Sequence, residues 1–379
     1  MKFKKLLFVS LLAPFFACES TNEEPSILIP NTYSFERNGS STVSYQGQTD
    51  RLNMTTEIKN YISSANDGSE ISLTKLLNMY SNNNSPFESS ELNASSKKLE
   101  DKTNPAEVNF IKSVLSEAAS TSAKMAQNRT TASDGVAGLI ERGNSGNFIL
   151  VNEKGWEFKE MFEKGVMGSI FYDQIMNVYL SESKIGNNVE NTLLVEGKNY
   201  TAMEHHWDEA FGYWGVPRDF PSGDPVLQDS ENIFWAKYTN GRDAALNVNE
   251  PLMKAYITGR AAIVAKDYAL RDTQKQRIIE LHELVTAATT VHYINRTMNS
   301  LSTGDIGNML HLLSETYGFV KAIQYSPMKK LTNQEINDIL TKDFGEGGNF
   351  WKVTMEGLNR AKERLSNAYP ELNPIKDVL

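Results

Sequence analysis

Cysteine is almost absent from this sequence: there is one, at position 18. The body that follows therefore has no thiol for an internal disulfide, an iron–sulfur cluster, a zinc knuckle or a nucleophile. Any metal must be held by oxygen and imidazole. Imidazole is itself scarce, since the 5 histidines are His205, His206, His282, His292 and His311, all in the second half of the chain. Long apolar runs are missing as well. The N-terminal stretch 6–16 is shorter than the roughly 20 residues that cross a bilayer, and nothing after it approaches that length. Positive charge is in deficit, with 38 Lys and Arg against 47 Asp and Glu and a formal net charge of −9. An acidic surface repels phosphate backbones and anionic headgroups, so no nucleic-acid partner is expected and membrane attachment falls to a lipid. No Gly-x-Ser-x-Gly elbow, phosphate-binding Gly-Lys-Ser/Thr loop, Gly-x-Gly-x-x-Gly fingerprint or His-Glu-x-x-His occurs, which removes the common nucleotide enzymes, serine hydrolases and zincins.

What is present begins with Lys2, Lys4 and Lys5 ahead of the apolar run and no acidic residue before Cys18, the order of an export signal. The tripeptide Phe15-Phe16-Ala17 resembles a bacterial lipobox with Phe where Leu is commoner. This makes residues 1–17 a signal peptide and Cys18 the lipidation site. The alternative is a conventional signal peptide cut nearby, with Cys18 incidental. Residues 19–30 (ESTNEEPSILIP) are acidic and rich in Ser, Asn and Pro, which suits a solvated tether. Acidic residues after a lipidated cysteine also resemble the surface-export signal of some Gram-negative lipoproteins. The expected location is the outer membrane, with the body either periplasmic or surface-exposed.

Beyond an irregular lead-in at 31–50, nearly every segment carries helical spacing. One face of a helix after Asp50 takes Leu52, Ile58, Tyr61 and Ile62, and 72–80 carries Leu73, Leu76, Leu77 and Tyr80. Asn104 reads as a cap and Pro105 as the first residue of a long helix running to about residue 128. Residues 148–151 (FILV) read as a short strand or extended segment. Another amphipathic stretch covers 156–179, and its Gly165 and Gly168 imply a closely packed backbone. Three prolines in 216–225 force a loop, and after it 231–239, 250–268, 272–300, 304–325, 332–341 and 349–367 are all of helical length. The expected fold is all-α, with at most a few short strands. The lead-in and tether occupy 18–47, a first helical bundle 48–215 and a second 226–379.

The chemically densest segment is 199–215 (NYTAMEHHWDEAFGYWG). Glu204, His205, His206, Asp208 and Glu209 lie within six positions, bracketed by Trp207, Phe211, Tyr213 and Trp214. On a helix His206 shares a face with Glu209, His205 with Asp208 and Glu209, and Glu204 with Asp208. Imidazole with carboxylates suits iron, manganese or zinc and is poor for copper(I). One helix supplies too few ligands, so a metal site needs a donor from elsewhere, with Glu157, Asp173, His282, Glu283, His292 and His311 as candidates. The plainer reading is a set of local ion pairs in a polar, buried junction. Either way the five groups span more than one turn, so at least two must be interior and must meet partners. Lys164 or Arg242 are the expected cations, with Tyr172, Asp173 and Gln174 as neighbours if 164–174 packs here through its glycines.

At His206-Trp207-Asp208-Glu209 the sequence resembles the His-x-x-Glu signature of imelysin-like proteins, an all-helical group of envelope lipoproteins and periplasmic proteins. The tracts YSFERNGSSTVSYQGQTDRLNM (33–54), KGVMGSIFYDQI (164–175) and MEHHWDEAFGYWG (203–215) are similar, more narrowly, to an uncharacterised Gram-negative lipoprotein family beside the imelysins. The imelysin pattern is Gly-x-His-x-x-Glu, and here Glu204 stands at the glycine position. The resemblance implies a two-bundle fold with the His-x-x-Glu helix near the junction, and a role around uptake of iron or another divalent metal alongside envelope uptake proteins. The leading reading is a non-enzymatic metal-linked lipoprotein with His206 and Glu209 as ligands and His205, Asp208 and Glu204 in support. The alternative is an interaction scaffold whose cluster is structural, and a metallopeptidase comes third.

Overall fold

A computed structural model describes residues 27–221 and 233–379. The signal peptide and Cys18, most of the tether, part of the proline-rich loop and Glu231 lie outside the described residues. Among the described residues the chain is 63% helical, with 13 α-helices and two small two-stranded sheets, so the all-α expectation holds. None of these helices is long and apolar enough to cross a membrane.

The helices are α1 (Gln46–Ser63), α2 (Leu73–Ser81), α3 (Ser90–Ala94), α4 (Val108–Gln127), α5 (Phe158–Val166), α6 (Glu182–Ile185) and α7 (Ala202–Trp214). After the loop come α8 (Trp235–Leu246), α9 (Asn249–Ala265), α10 (Tyr268–Thr303), α11 (Ile306–Ile323), α12 (Asn333–Asp338) and α13 (Met355–Ala368). Strands β1 (Glu36–Arg37) and β2 (Ser40–Ser41) form a minimal hairpin in the lead-in. The expected strand at 148–151 is β4 (Asn147–Val151), antiparallel to β3 (Gly138–Arg142).

Local chemistry explains most boundaries. The Ser72 hydroxyl accepts from the Lys75 amide at the start of α2, and Asp267 does the same for Leu270 at the start of α10. Gly304, at φ +75°, closes α10, which at 36 residues is the longest element. Its buried threonines Thr286, Thr290 and Thr297 return their hydroxyls to carbonyls four residues back, so they need no partner from outside. Asn104 does not cap α4 directly. Residues 105–107 turn first, with the Asn104 side chain accepting from the Ala106 amide, and the helix starts at Val108.

Helix α10 packs antiparallel beside α11 and also against α9 and α13, while α5 touches α1, α4 and α11. One cluster of buried side chains runs from Tyr33 to Tyr325 and includes residues on both sides of the proline-rich loop. A second is formed by Ala132, the β4 residues Ile149 and Val151, α10, α11 and the C-terminal segments up to Leu372. Beyond Val166, α5 continues through Met167–Tyr172 and Gln174–Tyr179 in the wider π geometry, which is rare and tends to occur at specialised sites.

The glycines of this tract do permit close packing, but not against α7. Gly165 meets Phe110 and Ile111 of α4, and Gly168 meets Ala322 of α11. One turn earlier, the same seam brings Gly318 of α11 so near to α5 that a Cβ there would lie 2.2 Å from the Cβ of Lys164. Gly318→Ala must therefore push α5 and α11 apart, at a cost of about 1–3 kcal/mol typical of overpacking. Gly241→Ala, in α8 with nothing within 4 Å of the new methyl, should be neutral or slightly stabilising. Urea unfolding of the two variants checks this, and equal stabilities would contradict the close seam.

Candidate functional site

Helix α7 starts with a capping box, in which Thr201 accepts from the Glu204 amide and Glu204 accepts from the Thr201 amide. It stops at Gly215, whose φ of +86° suits the left-handed cap. Its apolar face buries Met203, Trp207, Ala210, Phe211 and Trp214. Both indoles are satisfied: Trp207 donates to the Tyr256 carbonyl at 2.9 Å and Trp214 to the Thr239 hydroxyl at 3.0 Å.

Glu204 and Asp208, four residues apart, point into the protein, as the requirement for at least two interior groups demands. Asp208 accepts from Arg260 Nε at 2.9 Å, the Tyr33 hydroxyl at 2.8 Å and the Ser44 amide at 3.1 Å. Burial holds its carboxyl above the usual range, with Arg260 pulling the other way. Glu204 receives two hydrogen bonds from Arg37, at 2.8 and 3.2 Å, and an ion pair from Arg260 at 3.2 Å. Burial opposes its charge, but Arg37 and Arg260 outweigh it and hold its carboxyl below the usual range.

These partners differ from the expected ones. Lys164 pairs with Glu160, Glu163 and Glu315 instead. Arg242 lies in α8, where its charge is felt by Tyr293 and Arg296. Tyr172 packs on Trp235, Asp173 accepts from Asn104 and Asn177, and Gln174 donates to the Lys102 carbonyl. The tract meets α7 mainly from Gln174 to Tyr179, and more lightly from Met167 to Tyr172, where Phe171 stacks on Tyr213. Arg260 had a visible sequence signal, a lone arginine inside the apolar run AYITGRAAIVA, whereas Arg37 and Tyr33 come from a lead-in with no helical pattern.

His205, His206 and Glu209 take the outer side of α7. His205 Nδ1 donates to the Ser44 carbonyl at 2.9 Å, and its ring stacks on Tyr200 with centroids 4.6 Å apart. His206 Nδ1 lies 3.1 Å from Glu209, whose other oxygen accepts from Gln48 at 3.0 Å. Beside them runs a groove of about 390 Å³ lined by Arg51, Lys97, Lys102, Lys198, His205 and Glu209, among others. Its charge is predominantly positive, the wrong sign for attracting a cation.

A second cluster forms on the α5–α11 seam. Among the described residues, the one group of three or more His, Cys, Asp or Glu donors within 4.8 Å of one another is Glu157, Glu160 and His311. All three are buried. Two of the residues considered as second-helix ligands, Glu157 and His311, are thus brought together, but with each other and not with α7. His311 Nδ1 lies 2.6 Å from Glu157 and 3.8 Å from Glu160, and Nε2 lies 3.4 Å from Glu315. Lys164 Nζ sits 2.8 Å from Glu160 and 3.2 Å from both Glu163 and Glu315. Lys159 and Lys59 complete the set at Glu160 and Glu163.

Four carboxylates here face three lysines, so a proton on His311 makes the group neutral. Burial disfavours that proton, but Glu157 and then Glu160 outweigh burial and raise the His311 pKa above its ordinary value. Lys164 is likewise held well above the usual lysine range, its burial overcome by Glu160 and Glu163. Glu315 is raised by burial, against the pull of Lys164. The sequence signal was the spacing Glu157-x-x-Glu160-x-x-Glu163-Lys164 with His311-x-x-x-Glu315, short patterns that become a cluster only when the two helices meet. His282, by contrast, is fully buried beside the Tyr256 hydroxyl at 3.0 Å, and burial lowers its pKa to about 3.

A family described as "Domain of unknown function (DUF4856)" matches residues 30–370. No curated protein and no solved structure matches the chain.

The α7 junction makes a direct prediction. Arg260→Ala leaves Glu204 with Arg37 alone and Asp208 with no cation, and should destabilise the fold by about 3–5 kcal/mol, as removal of one partner of a buried pair does. Adding Asp208→Asn should recover part of that loss, because the stranded charge is gone. Denaturant unfolding of the single and double variants measures both, and a loss under about 1 kcal/mol for Arg260→Ala would show that the junction is not held by this charge.

Proposed function

The chain belongs to the DUF4856 family, and we propose that this protein is a non-enzymatic, metal-binding protein of the cell envelope. Its divalent ion is iron or a metal of similar preference, and its ligands are Glu157, Glu160 and His311. The observation that carries this reading is the convergence of three hard or borderline donors, from two different elements, within 4.8 Å. Two carboxylates and one imidazole suit iron, manganese or zinc. In charge, a dipositive ion in place of the His311 proton leaves the four carboxylates and three lysines of the seam one positive unit in excess, which loss of the proton from one of the lysines would offset. All three donors are buried, which does not suit a peptide substrate and favours storage or handover above hydrolysis.

The envelope part of the proposal rests on Lys2, Lys4 and Lys5, the apolar run after them and Cys18, which together support a lipid anchor at the outer membrane. The resemblance of the α7 tract to the imelysins supports the link to metal uptake and to envelope partners. A scaffold reading has one specific observation in its favour: with His311 protonated, the seam is charge-neutral with no metal at all.

Titration with Fe²⁺, Mn²⁺ and Zn²⁺ under anaerobic conditions separates the two. The metal reading expects one ion per chain, lost in Glu157→Gln and in His311→Gln and retained in His206→Ala, with circular dichroism confirming that each variant is folded. Below the raised pKa of His311 the ion competes with a proton, so affinity should fall by about tenfold per pH unit as pH decreases. Binding that survives both seam substitutions, or that disappears with His206, would refute the assignment.

A further inference from the structure

The groove beside His205 and Glu209 carries an excess of positive charge in a chain whose net charge is −9. Its lining includes four cations, Arg51, Lys97, Lys102 and Lys198, and one carboxylate, Glu209. That carboxylate is already engaged by Gln48 and His206. Among the described residues no carboxylate oxygen lies within 4.0 Å of the ammonium of Lys97, Lys102 or Lys198. Lys102 is half-buried over the Tyr179 ring, and burial and then the charge of Arg51 lower its pKa, with Glu209 pulling the other way without overcoming them. Arg51 is buried and Lys102 half-buried, with the exposed Lys97 and Lys198 at the rim, and like charges gathered in this way repel one another unless an anion relieves them.

The groove is also built, not merely decorated. Arg51 is fixed by two backbone carbonyls, that of Lys98 at 2.7 Å and that of Gly47 at 3.2 Å. The Lys97 stem lies where a Cβ on Gly47 would be, at 2.8 Å, so this glycine is what lets the lysine cross the start of α1. The first residues of α1, Gln46, Gly47 and Gln48, line the same groove, and this helix end has no side-chain cap and no acidic residue in its first turn to offset its positive pole. The stacked rings of His205 and Tyr200 are part of its lining.

We propose that this groove is a binding site for a phosphate group, held by Lys97, Lys102, Lys198 and Arg51. Separated ammonium groups suit a multiply charged, tetrahedral anion better than a planar carboxylate, which is matched by paired guanidinium donors. The site is independent of the metal reading, because it shares no residue with the α5–α11 seam.

Calorimetric titration of the whole chain at low ionic strength tests it, with inorganic phosphate, glycerol phosphate and phosphatidylglycerol vesicles as probes. The parent should bind inorganic phosphate at roughly millimolar concentration or better, and more weakly as salt is added. The Lys102→Gln/Lys198→Gln double variant should lose roughly tenfold or more in affinity with its thermal unfolding unchanged, and Glu157→Gln should bind phosphate like the parent. Vesicle binding that is lost with the same two lysines identifies a lipid headgroup as the source. Phosphate or glycerol phosphate binding without vesicle binding identifies a soluble phosphate compound. Absence of phosphate binding, or undiminished binding in the double variant, overturns the proposal.

Discussion

Lys164 holds a positive charge where water is nearly excluded, and the seam between α5 and α11 is organised around it. Three carboxylates, Glu160, Glu163 and Glu315, lie within 3.2 Å of its Nζ, and Gly318 gives its stem the space to stand there. A lone buried ammonium would be costly, and so would any one of these carboxylates without it. The network ties α5, which also packs on α1 and α4, to α11, which pairs with α10. Glu160 belongs to this network and to the candidate ligands, and Lys164 and Lys159 on Glu160 and Glu315 on His311 hold the ligands in place without being ligands themselves.

The α7 helix shows the same economy in another form. Its inward carboxylates are neutralised by Arg37 and Arg260, which fasten the lead-in and α9 to it. Its outward histidines and Glu209 edge a groove whose other walls are cationic. One short segment of sequence thus divides into a structural face and a face open to solvent. The seam and the groove are opposite in character: the seam pairs its charges almost completely, and the groove sets four cations against the single carboxylate of Glu209.

Much of the fold was legible because helices announce themselves locally. The limits of α7 follow from Thr201, Glu204 and Gly215, and those of α2 from Ser72 and the break after it. The demand that some of the Glu204–Glu209 groups be buried followed from periodicity alone, and Glu204 and Asp208 meet it. What could not be read was which helix meets which. Gly165 and Gly168 announced a close approach without naming α4 and α11 as its other side. Arg37 reaches Glu204 across 167 residues, and His311 reaches Glu157 across 154. Contacts of that range depend on the packing of whole helices, not on the spacing within one. The π geometry after Val166 likewise has no local residue signature.

The central claim, an ion held between α5 and α11, is tested most directly by X-ray absorption on the chain loaded with a single equivalent of zinc, read alongside anomalous diffraction from the same crystals. The account predicts one metal position on the seam with a shell of oxygen donors and a single imidazole. An anomalous peak beside His205 and His206, a shell with two imidazoles, or no ordered metal at the seam would contradict it.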